Sequence, residues 1–234
     1  MDSRDFGLEI TSAIGGIDYL HYGYWDPKRK PQIGELFKAQ AKYTDVLLKL
    51  LDKRAAGISK KRGKALKNAR TNIRILDIGC GSGKILSQLL EKGYQVDGIV
   101  PSECLYKASC DNVNKIKKSK NKVAVKHAKN CKVYKCYFEG FCDKLPKHKY
   151  DILLFSESFQ YIKYKVLYAN LHKIMNADGE VVIADFFAIS KNKAPGNFGG
   201  GHLLEKFYEE TQQTGIKIIS DKDITKNIAP NVDL

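Results

Sequence analysis

With 234 residues, 43% of them hydrophobic and 28% charged, the chain has ordinary globular composition. That length suits one domain burying about 70% of its unfolded surface, which excludes wholesale disorder. Forty Lys and Arg against 26 Asp and Glu leave a net charge of +14. Only six of the forty are arginine, the residue that nucleic-acid readers use for bidentate contacts. The abundant lysine accompanies many Asn and Ile residues, as in AT-rich genomes, so the charge reads as a solvated basic surface; an acidic carrier protein or an anionic membrane surface is an equally compatible partner. No apolar run approaches the ~20 residues of a membrane span. Asp2, Arg4 and Asp5 argue against a secretory signal, and none of the six cysteines forms a Cys-x-x-Cys pair, so they read as reduced thiols in a cytoplasm rather than zinc ligands.

Residues 1–32 lack periodicity and are rich in Gly and Tyr. From Gly34 onward, Leu36, Phe37, Ala41, Val46, Leu47, Leu50 and Leu51 fall near helical spacing and predict a helix ending at 55–57. The basic stretch 60–70 reads as a solvated connector. A β-branched run, Ile73 to Ile78, is closed by glycines and predicts a buried strand. A helix follows at 84–92, with Gly93 in the C-terminal glycine position. A second strand spans 94–100, and Ser102 caps a helix running into the lysine-rich region 107–122. Further strands are expected at 133–138, 150–155, 180–187 and 216–220. The remaining elements are a helical stripe from Tyr164 to Met175, a turn at 176–179, a glycine-rich loop at 195–201 and a helix near 202–213. Strands alternating with helices imply a doubly wound α/β domain with a mostly parallel sheet. The expected organisation is an N-terminal segment and helix over 1–60 followed by this domain over 61–234.

In such a sheet the ligand lies beyond the carboxyl ends of the strands, near the first strand. The loop there reads Asp77-Ile78-Gly79-Cys80-Gly81-Ser82-Gly83. Its glycines permit close backbone approach, and the helix from Lys84 directs free N–H groups at the ligand. The spacing fits neither the dinucleotide fingerprint nor the P-loop. Asp-x-Gly-x-Gly-x-Gly directly after a strand is similar to the class I S-adenosylmethionine-dependent methyltransferases, and the resemblance extends over nearly the whole chain from about residue 15. It implies a Rossmann-like fold and methyl transfer from S-adenosylmethionine, which leaves as S-adenosylhomocysteine. It also implies that Asp77 and the backbone of Gly79, Cys80, Gly81 and Gly83 hold the cofactor's methionine portion. The competing reading is a glycine turn that merely lets helix and strand pack.

Val100 stands where many members carry an acid for the ribose hydroxyls. That departure resembles the lipid and small-molecule branch, with Ser102 or Glu103 as the substitute and Ser102 equally a helix cap. Phe138-Glu139 resembles the aromatic–Glu pair near the adenine in cyclopropane-synthase-like members, against a core Phe beside a solvated Glu. Leu20-His21-Tyr22-Gly23-Tyr24-Trp25 is similar to a segment that folds over the cofactor and borders the substrate in that branch. Tyr19, His21, Tyr22, Tyr24 and Trp25 lie outside any core periodicity, so residues 15–27 are expected to act as a lid, the competing reading being that Tyr22, Tyr24 and Trp25 simply staple this segment to the core.

A hydroxyl or phenol acceptor calls for a general base on the loops after the strands. Candidates are Glu157, Tyr161, Asp185, His202 beside its glycines, and His21 or Tyr22; of these Tyr22, Glu157 and His202 are singled out. The leading function is methylation of a small-molecule or lipid-like acceptor, free or carrier-bound. The alternatives are an RNA or DNA methyltransferase and a catalytically silent cofactor-binding partner. Fourteen residues follow Ser220, where the family sheet gains a seventh strand, so either the last strands are rearranged or the chain is shortened.

Overall fold

The computed structural model describes residues 20–65, 69–144, 147–189 and 201–233. Five strands, β1 (Arg74–Ile78), β2 (Gln95–Ile99), β3 (Val133–Tyr134), β4 (Tyr150–Ser156) and β5 (Met175–Ala184), form one parallel sheet in the order β3-β2-β1-β4-β5. The chain enters at β1, steps outward to β3 and returns beside β1 as β4, so the strand order reverses between β1 and β4. This is where a doubly wound sheet opens a crevice at its carboxyl edge.

Alternation along the strands divides the core. Ile75, Val96, Ile152, Leu154 and Val182 face one cluster, shared with α1 (Leu36–Lys61), α2 (Lys84–Glu91), α3 (Glu103–Lys117) and α4 (Lys122–Asn130). Leu76, Ile78, Ile99, Leu153 and Phe155 face the other, shared with α5 (Phe138–Asp143) and α6 (Tyr164–Ile174). Both faces are thus covered, which lets β4 be apolar without a break from Ile152 to Phe155. α1 contributes Leu47, Leu51, Ala55 and Ile58 to the first cluster, so it belongs to the same core as the sheet.

Three expectations are corrected. The third strand stops at Tyr134 because Phe138, Phe141 and Cys142 have helical spacing and are buried as α5. The turn at 176–179 is a bulge inside β5: Tyr150 pairs with Met175 and Ile152 with Glu180. Asp178 in that bulge is gripped by Arg62 at 2.6 Å, while Asn176 donates to Asp151 at 2.7 Å. Residues 216–220 form no strand; Ile216, Ile218 and Ile219 are exposed, and β5 remains the sheet's edge among the described residues. A two-residue pairing of β6 (Phe187–Ala188) with β7 (His202–Leu203) leads instead into α7 (Leu204–Gln213), and a short α8 (Thr225–Ile228) and a 3-10 turn (Ala229–Asp233) follow.

Candidate active site

Three segments distant in sequence meet at the carboxyl edge. The first is the glycine loop after β1. Gly79, Gly81 and Gly83 have φ of 78°, 55° and 79°, where a side chain is disfavoured. Their surroundings differ. A Cβ on Gly79 would meet Ser158 Cβ at 2.4 Å, and one on Gly83 would meet Ser109 Oγ at 2.8 Å, so these two glycines admit neighbouring side chains of the protein itself. A Cβ on Gly81 would meet only Leu20 Cδ1, at 3.3 Å. Of the three, Gly81 leaves the loop backbone approachable. Cys80 points inward, its Sγ 3.6 Å from Ser109 Oγ, and its N–H donates to Ile99 O.

Asp77 lies beneath this loop. It is 1% exposed, and its Oδ2 has no hydrogen-bond partner. Burial pushes its carboxyl up to about 7, because removal from water penalises the charged form.

The second segment follows β4. Glu157 is the only non-glycine among the described residues with positive φ, at 55°. Such a conformation costs about 1–3 kcal/mol and clusters at functional sites. Its N–H donates to Ala184 O of β5, and burial pushes its carboxyl up to about 8, with Tyr22 N–H opposing and Asp185 adding to the rise. Ser158 donates to Ile78 O and fills the space over Gly79, bracing the glycine loop from the Glu157 side.

The third segment is 20–25. Tyr22 N–H donates to Glu157 Oε1 at 3.1 Å, and the Tyr22 ring meets Phe186 edge-on at 5.0 Å. His21 is buried, stacked on Tyr43 and bonded through Nε2 to Thr44 Oγ1. Trp25 is buried, with its indole N–H on Asn231 Oδ1. Residues 15–19 of the expected lid, Tyr19 among them, lie outside the described residues, as do 195–200 of the glycine-rich loop.

The other candidates are placed as follows. Ser102 caps α3, its Oγ accepting from Leu105 N–H at 3.5 Å. Phe138 is buried against Phe155, while Glu139 is exposed on the first turn of α5. His202 has its Nε2 2.9 Å from Ile162 O and 3.1 Å from Phe159 O. Both oxygens only accept, so Nε2 carries the hydrogen and the lone pair of the neutral ring lies on Nδ1; the ring packs against Tyr164 and Phe159. The glycine before it admits backbone rather than ligand, since a Cβ on Gly201 would meet Phe186 O at 2.7 Å. Tyr43 escaped notice in the sequence. Its hydroxyl reaches Ala184 O at 3.5 Å, and its phenol is raised by burial and by Glu157. Its i±4 relation to the buried Ala39 and Leu47 was the signal available. Among the described residues no group of three His, Cys, Asp or Glu side chains is arranged to hold a metal, and no helix is long and apolar enough to cross a membrane.

A parallel sheet with its reversal between β1 and β4, and a glycine loop over a buried acid there, defines a Rossmann-like α/β enzyme. Residues 39–224 match the methyltransferase domain family, and the chain belongs to that family. No curated protein matches it in sequence. Among solved structures it is similar to geranyl diphosphate C-methyltransferase from Streptomyces coelicolor A3(2) (TM-score 0.68, 14% identity, 95% of this chain and 80% of that one). It is also similar to the [4+2]-cyclase SpnF (0.66, 15%, 97% and 76%) and to the cyclopropane synthase MmaA2 from Mycobacterium tuberculosis (0.62, 14%, 92% and 72%). At these identities the likeness establishes the shared fold.

Proposed function

We propose that the chain transfers a methyl group from S-adenosylmethionine to a small-molecule or lipid-like acceptor, including one presented on an acidic carrier protein. The observation that carries this reading is Asp77, a buried carboxylate with an unpartnered oxygen under a loop left open at Gly81. A buried charge without a partner costs several kcal/mol, and the cofactor's ammonium group is a donor of the right charge to offset it. When bound, the cofactor supplies a methyl group already activated on sulfonium, so the protein's tasks are alignment and proton removal. Asp77 and the Gly79–Gly83 backbone hold the methionine end, Ser102 and Phe138 wall the nucleoside side, Glu139 takes the adenine amino group, and Tyr22 borders the methyl group. Glu157, ionised, accepts the acceptor's proton; Tyr22 N–H already orients its Oε1.

The same fold carries a [4+2]-cyclase in SpnF, so activity is decided by assay rather than by fold. The nucleic-acid alternative is weakened because Arg54, Arg62 and Arg70 are engaged by carboxylates. All six cysteines are free, in keeping with a cytoplasmic assignment. Calorimetric titration should give one-to-one binding of S-adenosylmethionine that is abolished by Gly81→Val, where a branched side chain is forced to φ 55°. Unchanged affinity in the folded variant would remove the reading. In a methyl-transfer screen with metabolite and lipid extracts, Glu157→Gln should lower the rate about 10²-fold while leaving cofactor affinity intact.

A further inference from the structure

At the opposite edge of the sheet, where the strands begin, two adjoining cavities of about 250 and 400 Å³ share Gln95, His127 and Asn130. A five-residue strand separates this edge from the glycine loop by about 15 Å. Arg74, Lys132 and Lys147 line the first cavity and Lys126 the second.

The floor is built and held. Asp97, the only carboxylate in either lining, is buried and saturated: Oδ1 accepts from Lys132 N–H at 2.8 Å, Oδ2 from the Tyr150 hydroxyl at 2.8 Å, and Arg74 Nη1 lies 3.7 Å away. Arg74 also donates to Gln95 Oε1 at 2.5 Å, and Gln95 Nε2 donates to Thr71 O at 2.9 Å. The guanidinium is therefore fixed before any ligand arrives, which lowers the ordering cost of binding.

The lysines above this floor form no ion pairs among the described residues. Lys126, Lys132 and Lys147 have no carboxylate within ion-pair distance among the described residues, whereas Arg54, Arg62, Arg70, Lys92 and Lys135 all do. Residues 112–138, which supply α4 and β3, contain nine lysines and no Asp or Glu. His127 stands between the two cavities, its imidazole held toward the neutral form by burial and by Lys126 and Arg74. It therefore adds a hydrogen-bonding group without a charge.

We propose that this cleft is an anion site for a phosphate-bearing small molecule, separate from the methyl-transfer site. Basic residues of β1 and α4, the residue before β3 and the segment before β4 line it, which suits a group with several acceptor oxygens and more than one negative charge. Single-stranded nucleic acid fits less well. The tyrosine rings lining the cavities, Tyr134 and Tyr150, are half-buried and buried, which leaves the His148 imidazole as the one exposed ring of the lining and no run of rings for successive bases.

The test is titration with inorganic phosphate and with adenosine monophosphate, followed by ³¹P line broadening and by melting temperature against sodium chloride of equal ionic strength. Saturable binding of either is expected, weakened at least tenfold in Lys132→Glu/Lys147→Glu and measurably in the milder Lys132→Gln/Lys147→Gln. Tighter binding of the nucleotide than of phosphate would identify an organic phosphate as the occupant; equal binding would identify the free ion. S-adenosylmethionine affinity of these variants should stay within twofold of the parent, so failure here leaves the methyl-transfer reading standing and the reverse also holds. Absence of saturation, an equal response in the glutamate variant, or a twelve-residue oligonucleotide binding over a hundredfold tighter than the monophosphate would overturn the proposal.

Discussion

At position 77 the folded chain would be better served by a residue that cannot ionise. The Asp77 carboxyl titrates at about 7 when folded against about 4 for an exposed aspartate. The folded state therefore binds a proton that the unfolded state releases, and stability from this group is complete below about pH 4 and lost as pH rises to about 7. Three units correspond to a ceiling of about 4 kcal/mol. Asp77→Asn removes the titration and leaves a buried amide, costing about 1–3 kcal/mol if unpaired. The variant should therefore gain in melting temperature relative to the parent between pH 5 and pH 8. Glu157 titrates at about 8 in both proteins and cancels in that difference. The same variant should bind S-adenosylmethionine about ten- to a hundredfold more weakly, the scale of a hydrogen bond to a charged group. A variant that melts lower at pH 8 than at pH 5, relative to the parent, would assign Asp77 to structure alone. Glu157 shows the same opposition between folding and chemistry, in backbone strain as well as burial.

Among the elements, the segment 20–25 answers most directly how it works, because four consecutive amides have acceptors. Tyr22 N–H goes to Glu157, Gly23 to Asn231 Oδ1, Tyr24 to Ala39 O and Trp25 to Asn227 O. Asn231 also donates to Gly23 O and accepts from the Trp25 indole, so one side chain near the C-terminus fastens the strap. Hydrogen exchange should find Gly23, Tyr24 and Trp25 protected before cofactor is added, with any gain on binding confined to Tyr22, whose acceptor lies in the site. Asn231→Ala leaves several polar groups unpaired and should cost about 1–3 kcal/mol while accelerating exchange at 23–25. Protection appearing across 22–25 only with cofactor would restore a mobile lid. This strap marks the limit of what sequence reveals. β1, β2 and α2 were legible because each is a local period closed by glycine or proline, β4 because its apolar run from Ile152 to Phe155 is unbroken, and so was the Asp77–Gly83 loop. The roles of Gly79 and Gly83 were not, because the serines that need their space lie 79 and 26 positions away (Ser158, Ser109). Nor was the meeting of Tyr22 with Glu157 across 135 positions. Residues 216–220 misled because a β-branched run signals propensity, whereas a strand also needs a neighbour with which to pair.

Across the whole molecule the two signs of charge are used differently. The acids clamp α1 to the sheet: Arg54 of α1 holds Glu180 of β5, and Arg62 just beyond it holds Asp151 and Asp178, with partners 5–38% exposed. The surplus is carried by exposed lysines, including Lys115, Lys117, Lys118, Lys120 and Lys122 around the α3–α4 turn. Salt acts on these populations in opposite directions. It weakens ion pairs and relieves like-charge repulsion, and exposed charges are screened more than partly buried ones. With a net charge of +14, the repulsive part should dominate. Raising sodium chloride from 0.01 to 0.15 M shortens the screening length from about 30 Å to about 8 Å, so the melting temperature should rise. A gain of about 1 kcal/mol corresponds to roughly 2–4 °C at this chain length. Replacing those five lysines with glutamine should lessen the dependence, since it lowers the repulsion and leaves the α1 clamp untouched. A melting temperature that falls with chloride would show instead that the clamp outweighs the repulsion, and Arg62→Gln would then lower the stability of the parent while abolishing most of the salt effect.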